Sequence, residues 1–144
     1  MVFAKSILKS GYILTFGSHP TFQELFFEIS KLIYPENYKE HLKMYISKWF
    51  EDKYLYSKEY YNESTTFNET ERNNLLSKSL TTMRKHMIQR KEVSALICMG
   101  GKIKKNKADE GIREEIALAI ENGIPVFVVG SVGGCSSIVA SEYK

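Results

Sequence analysis

The sequence predicts an α/β protein built on a mainly parallel sheet, with helices on both of its faces. Three observations carry this. Apolar segments of strand length alternate with amphipathic segments of helix length. The clearest strands, 94–99 and 125–129, are near-continuous apolar runs, as strands covered on both faces are. Three strands also end in glycine, at Gly17, at Gly100-Gly101 and at Gly130.

The elements follow in order. Residues 2–10 read as an amphipathic helix with Phe3, Ile7 and Leu8 on one face, closed by Gly11 as a C′ glycine. A strand over 12–16 breaks at Gly17-Ser18-His19-Pro20. Thr21 with Glu24 three residues on forms a capping box. The helix it opens runs to about Tyr34 and presents Phe22, Leu25, Phe26, Ile29 and Leu32 or Ile33, and Pro35 ends it. A strand is expected over 42–50. Residues 54–67 show no clean period, and their tyrosines suit a stacking surface or an interface equally. A long helix is expected over about 69–90, with Leu76, Leu80, Met83 and Met87 at helical spacing. The strand 94–99 runs into Gly100-Gly101 and a polar loop that reaches Asp109. A helix over 110–122 turns Ile112, Ile116, Ala119 and Ile120 inward and stops at Gly123. The strand 125–129, a glycine turn over 130–134 and a helix from Ser136 complete the chain.

A length of 144 residues suits one domain with a core large enough to need no disulfide. Hydrophobic residues at 43% and charged residues at 26% exclude a disordered tail or a collagen-like rod. The longest apolar runs, 93–99 and 124–129, are too short to span a bilayer. The N-terminus does not read as a secretory signal, so the chain is expected in a reducing cytoplasm with Cys98 and Cys135 as free thiols. The net charge of +3 says less than its placement. Lys102, Lys104, Lys105 and Lys107 share one short stretch, and Arg84, Lys85, Arg90 and Lys91 cluster upstream. Such a loop is either a solvated surface or a site for a small anion.

Open parallel sheets bind ligands beyond the carboxyl ends of their strands. The glycines there let a backbone approach an anion, and helix N-termini aim free N–H groups at it. Three such loops in one small domain favour a nucleotide or phosphate pocket. Arg84 is either a surface arginine or a guanidinium gripping a phosphate through two hydrogen bonds. Glu114 and Glu115 either favour a helix N-terminus by their charge or contact a ribose or a glycosidic bond. His19 is either a polar turn residue or a ligand contact. His41 and His86 lack metal-ligand partners at useful spacing. No nucleophile elbow, phosphate-loop or dinucleotide glycine signature is present.

Three segments resemble the SLOG superfamily, which includes LOG-type phosphoribohydrolases and DprA/Smf proteins. They are Gly11-Tyr12-Ile13-Leu14-Thr15-Phe16-Gly17, Met83-Arg84-Lys85 leading to Leu96-Ile97-Cys98-Met99-Gly100-Gly101-Lys102, and Gly111-Ile112-Arg113-Glu114-Glu115. They are most similar to the STALD branch, which is associated with sirtuin-type and TIR NADase domains. The resemblance implies a Rossmann-like three-layer sandwich. In the superfamily a strand ending in a Gly/Ser loop precedes the first helix. Met1 stands almost at that helix, so the sheet is expected to lack its first strand.

The resemblance also implies a function: a non-catalytic sensor domain that binds a cyclic ADP-ribose isomer and regulates an associated NADase in Thoeris antiphage defence. The ligand is NAD-derived, no resident cofactor is implied, and homo-oligomers are expected. Neither membrane nor nucleic acid is an expected partner. Carried over by residue, Arg84 and Lys102 match basic positions facing the phosphates, and Glu115 or Glu114 the acidic position. Gly17, Ser18, Gly100, Gly101, Gly133 and Gly134 match pocket loops, with His19 and Ser136 beside them.

The alternative is a LOG-type nucleoside 5′-monophosphate phosphoribohydrolase, in which Arg84 holds the phosphate and Glu115 stabilises an oxocarbenium-like transition state. Against it, Met99 replaces the proline of the enzyme's compact loop, residues 102–110 separate Gly101 from Gly111, and Ile112 stands in the threonine position. DNA handling of the DprA kind has only the fold and the lysine loop in its favour.

Overall fold

The computed structural model describes residues 2–17, 19–50, 67–107 and 110–143. They fall into two compact units, Met1–Met83 and Arg84–Lys144.

In the first unit, α1 (Val2–Lys9) precedes β1 (Leu14–Gly17), α2 (Pro20–Ile33), β2 (Leu42–Ser47) and β3 (Phe67–Thr70). The strands pair in the order β1-β2-β3, all parallel, in a register that sets Leu14 against Leu42 and Met44 against Phe67. A parallel pair needs a crossover, and α2 supplies the one from β1 to β2. β2 is the central strand, so Leu42, Met44, Tyr45, Ile46 and Ser47 are all buried along it. Leu8, Phe27, Leu42 and Met44 form the middle of the core with Ala4, Phe16 and Ile29. The α1 terminus is a Schellman motif: the Gly11 N–H donates to Leu8 O (3.0 Å) and the Tyr12 N–H to Ile7 O (3.3 Å). The Tyr34 hydroxyl reaches back to Leu8 O at 2.5 Å.

The buried stripes of α1 and α2 match those expected only in part. In α1, Leu8 lines the core with Ala4, whereas Phe3 is exposed. In α2, Ile29 is buried and Leu25, Phe26 and Ile33 pack against the core, whereas Phe22 and Leu32 are exposed. Gln23, Phe27 and Ser30 are buried as well, so the inward face is wider than the apolar stripe and takes in two polar residues. The Ser30 hydroxyl is satisfied by Tyr38 O at 2.9 Å.

Two element boundaries also change. β2 ends at Ser47, and residues 48–50 form a tight 3₁₀ turn in which the Trp49 N–H donates to Ser47 Oγ (3.2 Å). The expected helix over 69–90 is shorter, because Phe67–Thr70 pairs with β2 as β3 and α3 spans Leu76–Ile88. A long-range ladder outweighs local helical propensity here. The boundary between the two units falls within α3. The tyrosine-rich stretch 54–61 lies outside the described residues.

In the second unit, β4 (Leu96–Met99), α4 (Gly111–Glu121), β5 (Val126–Val129) and α5 (Gly134–Glu142) follow the end of α3. β4 and β5 pair in parallel, Leu96 against Val126 through Met99 against Val129, with α4 as their crossover. The parallel α/β class is therefore the fold class of the chain. Cys98, Ile116, Cys135 and Val139 form the core, packed by Leu96, Ile112, Val126 and Val128. Both cysteines are free thiols. Burial pushes the Cys98 thiol up to about 12 and the Cys135 thiol up to about 11, so both stay protonated at neutral pH.

α4 ends in a second Schellman motif, with the Gly123 N–H on Ile120 O (3.0 Å) and the Ile124 N–H on Ala119 O (2.9 Å). Leu118 is buried where Ile120 was expected, and Ile120 is exposed. Phe127, expected inside a fully buried strand, is 58% exposed. Among the described residues no helix is long and apolar enough to cross a membrane, and no three His, Cys, Asp or Glu side chains converge to hold a metal ion.

Candidate functional site

The carboxyl ends of β4 and β5 are joined by backbone contact. The Cys135 N–H donates to Gly101 O (3.1 Å) and the Ser136 N–H to Gly100 O (2.9 Å). The Gly100 N–H in turn donates to Ser136 Oγ (2.8 Å), whose hydroxyl faces Val129 O at 2.9 Å and Gly133 O at 3.1 Å. Gly100, Gly101, Gly133, Gly134 and Ser136 thus gather as the sequence suggests. Their first effect is structural, because the amides of residues 135 and 136 at the start of α5 are used within the chain.

A second group surrounds the start of α4. Arg84 reaches it from α3, and its Nη1 donates to Glu114 Oε2. Its Nε lies 3.5 Å from Glu115 Oε1, too far for a hydrogen bond, and that buried Nε has no hydrogen-bond partner among the described residues. The guanidinium can lie here because residue 111 is glycine. A Cβ at that position would meet Arg84 Nη2, with Cζ at 3.0 Å and Nε at 3.3 Å. Burial pushes the Glu115 carboxyl above its ordinary value, and Glu114 adds to this while Arg84 opposes it. The structure therefore brings Arg84, Glu114 and Glu115 together. Lys102 is exposed on the loop after β4. Gly17 ends β1 and His19 is exposed, both in the first unit. Ser18 lies outside the described residues.

The lysine loop is tied down by residues that sequence reasoning did not single out. Glu110, only 2% exposed, accepts the Lys104 N–H at Oε1 (3.0 Å). Its Oε2 accepts Arg113 Nε (2.6 Å) and the Cys135 thiol (3.1 Å). Arg113 also grips Glu142 through two bonds of 2.6 and 3.0 Å, and Lys107 Nζ donates to Glu142 at 2.7 Å. The i, i+3 spacing of Glu110 and Arg113 was the available signal for the first pair. Nothing local pointed to Glu142, which is 29 residues from Arg113.

These donors set a pH dependence. The Lys104 amide, Arg113 and the Cys135 thiol hold Glu110 down to about 2, from an ordinary 4.5. Arg113 and then Lys107 hold Glu142 down to about 2. Both carboxylates stabilise the fold above pH 4.5, and that contribution is lost as pH falls toward 2. Glu115 has the opposite sign: its raised value adds stability below its unfolded pKa that is lost as pH rises through the folded one. Urea unfolding midpoints measured at descending pH are expected to fall steeply in the wild type. The fall should be shallower in Glu110→Gln and in Glu142→Gln, and equal slopes would show that the network does not stabilise the fold.

Parallel strands, glycine-ended turns at their carboxyl ends and a partly buried arginine set against a helix start define a Rossmann-like α/β protein. The family model described as SLOG cluster2 matches residues 21–144, and the chain belongs to that family. Its membership points to binding of a nucleotide-related ligand. No curated protein and no solved structure matches the chain.

Proposed function

We propose that the chain is a non-catalytic sensor domain that binds an NAD-derived signalling nucleotide, a cyclic ADP-ribose isomer. It regulates a TIR or sirtuin-type NADase in antiphage defence, acting in the cytoplasm as a homo-oligomer. The observation that carries the reading is the unsatisfied Nε of Arg84 at the start of α4. A buried donor without an acceptor is costly, and a phosphate oxygen would satisfy it. A phosphate set against Nε and one terminal nitrogen takes two parallel hydrogen bonds from the guanidinium. Glu114, bonded to Nη1, would keep its place, and Glu115, which stands 3.5 Å from Nε, would give way to it. Glu115, whose carboxyl burial raises above its ordinary value, would accept from a ribose hydroxyl. Lys102 supplies a second positive charge from the neighbouring loop. SLOG membership supports the nucleotide class of the ligand.

A second reading has its own observation. Arg84 beside two glutamates, one with a raised pKa, is also what a LOG-type phosphoribohydrolase would need. Calorimetric titration of the purified chain with cyclic ADP-ribose isomers and with AMP, with an assay for free adenine, separates the two. The sensor reading expects binding of a cyclic isomer without turnover, lost in Arg84→Ala. Adenine release that disappears in Arg84→Ala and Glu115→Ala would overturn it in favour of the enzyme.

A further inference from the structure

A cleft of about 370 Å³ lies in the first unit, lined by Trp49, Arg72, Asn73 and Asn74. Its position follows from strand register. Ser47, the last residue of β2, pairs with Thr70, the last residue of β3. Trp49 and Arg72 each lie two residues beyond, so the parallel ladder delivers them side by side at its carboxyl edge. The Arg72 guanidinium sits over the indole, 5.0 Å from the ring centroid.

The surrounding groups hold this pair in place. The Trp49 N–H is bonded to Ser47 Oγ, and Ser47 is fully buried. The Thr70 hydroxyl donates to Ile46 O (3.3 Å), fixing the end of β3 on which Arg72 follows. The Asn73 N–H donates to Ser79 Oγ (2.8 Å), and its side-chain nitrogen to Thr82 Oγ1 (2.9 Å). The cleft therefore has a half-buried aromatic face, a stacked guanidinium and, in Asn73, an amide fixed to the start of α3.

We infer that this cleft is a nucleobase-binding subsite, in which a base stacks on the Trp49–Arg72 platform and the exposed Asn74 amide meets its polar edge. Indole faces and guanidinium planes are the surfaces on which bases stack, and amides supply both donor and acceptor for a base edge. A hydrocarbon ligand would cover the polar groups of Arg72 and Asn74 without pairing them, and an isolated phosphate would leave the indole unused. The inference goes beyond the Arg84 reading: it names a base-recognising surface within the first unit, independent of the Arg84 group in the second.

Trp49 is the only tryptophan in the chain, so emission excited selectively at tryptophan, clear of the tyrosines, reports on this cleft alone. Titration of the full chain with AMP, with adenosine and with ribose 5-phosphate is the test. AMP and adenosine are expected to change the emission saturably, and ribose 5-phosphate is not. Arg72→Ala should weaken the AMP response about tenfold, the share that stacking on one base contributes. Trp49→Phe, followed by calorimetry, should weaken AMP binding less than Trp49→Leu, because phenylalanine keeps an aromatic face. Calorimetric binding of AMP with no change in emission, and with the same affinity in Trp49→Leu, would overturn the subsite and leave the Arg84 reading standing. An emission response to AMP and adenosine, with calorimetric binding of AMP unaltered by Arg84→Ala, would overturn the Arg84 reading and leave the subsite standing. Absence of any response to AMP or adenosine, in fluorescence and in heat, would overturn both.

Discussion

Gly134→Ala is expected to be the most destabilising single substitution in the second unit, costing about 4 kcal/mol or preventing folding. Two effects add. Gly134 has φ +70°, in the left-handed region that side chains resist. A Cβ there would also lie 2.5 Å from Gly101 O and 2.8 Å from Gly100 C. Both are backbone atoms, and they belong to the residues that accept the first amide bonds of α5. Relief of the clash would pull the ends of β4 and β5 apart and release those bonds. Gly123→Ala separates the two effects. Gly123 has φ +67° with nothing within 4 Å of an added Cβ, so it carries the conformational cost alone, about 1 kcal/mol. Urea denaturation of both variants checks the difference. Equal losses would mean that the strand ends part easily.

Arg84→Ala is expected to abolish nucleotide binding and to destabilise the second unit by about 3 kcal/mol, since it strands two carboxylates around a partly buried site. Gly111→Ala tests position without removing charge. A methyl group at residue 111 occupies the space of the Arg84 guanidinium and displaces it from the start of α4. Binding should fall at least tenfold while the arginine remains. If Gly111→Ala binds the nucleotide as the wild type does, the ligand does not depend on this placement of Arg84.

Much of the fold was legible because it rests on local chemistry. Gly11 and Gly123 stop their helices through the C′ geometry that glycine favours, and both strands of the second unit were apparent as apolar runs. The meeting of Arg84 with Glu114 and Glu115 was legible as a set of charges near one helix start. What was missed is non-local or polar. β3 has a short polar sequence, and only its ladder with β2 makes it a strand. Gln23 and Ser30 face the core beside the apolar stripe of α2, and no apolar pattern marks them. Glu110 and Arg113 pair locally, but they meet Glu142 only across 29 residues, so no short window holds the whole network. The glycines at the strand ends were noted for ligand approach, whereas Gly134 is required where its backbone passes close to that of Gly100 and Gly101.

The loop after β4 has one more consequence. It is fastened at one end where Gly101 meets Cys135, and at the other where Glu110 holds Lys104, Arg113 and the Cys135 thiol. Both anchors converge on the same turn of α5, so the cost of bringing the loop ends together is already met by the fold. Lengthening a loop that is already closed costs little, about 0.6 kcal/mol for a doubling. The segment between the anchors is therefore a permissive insertion point.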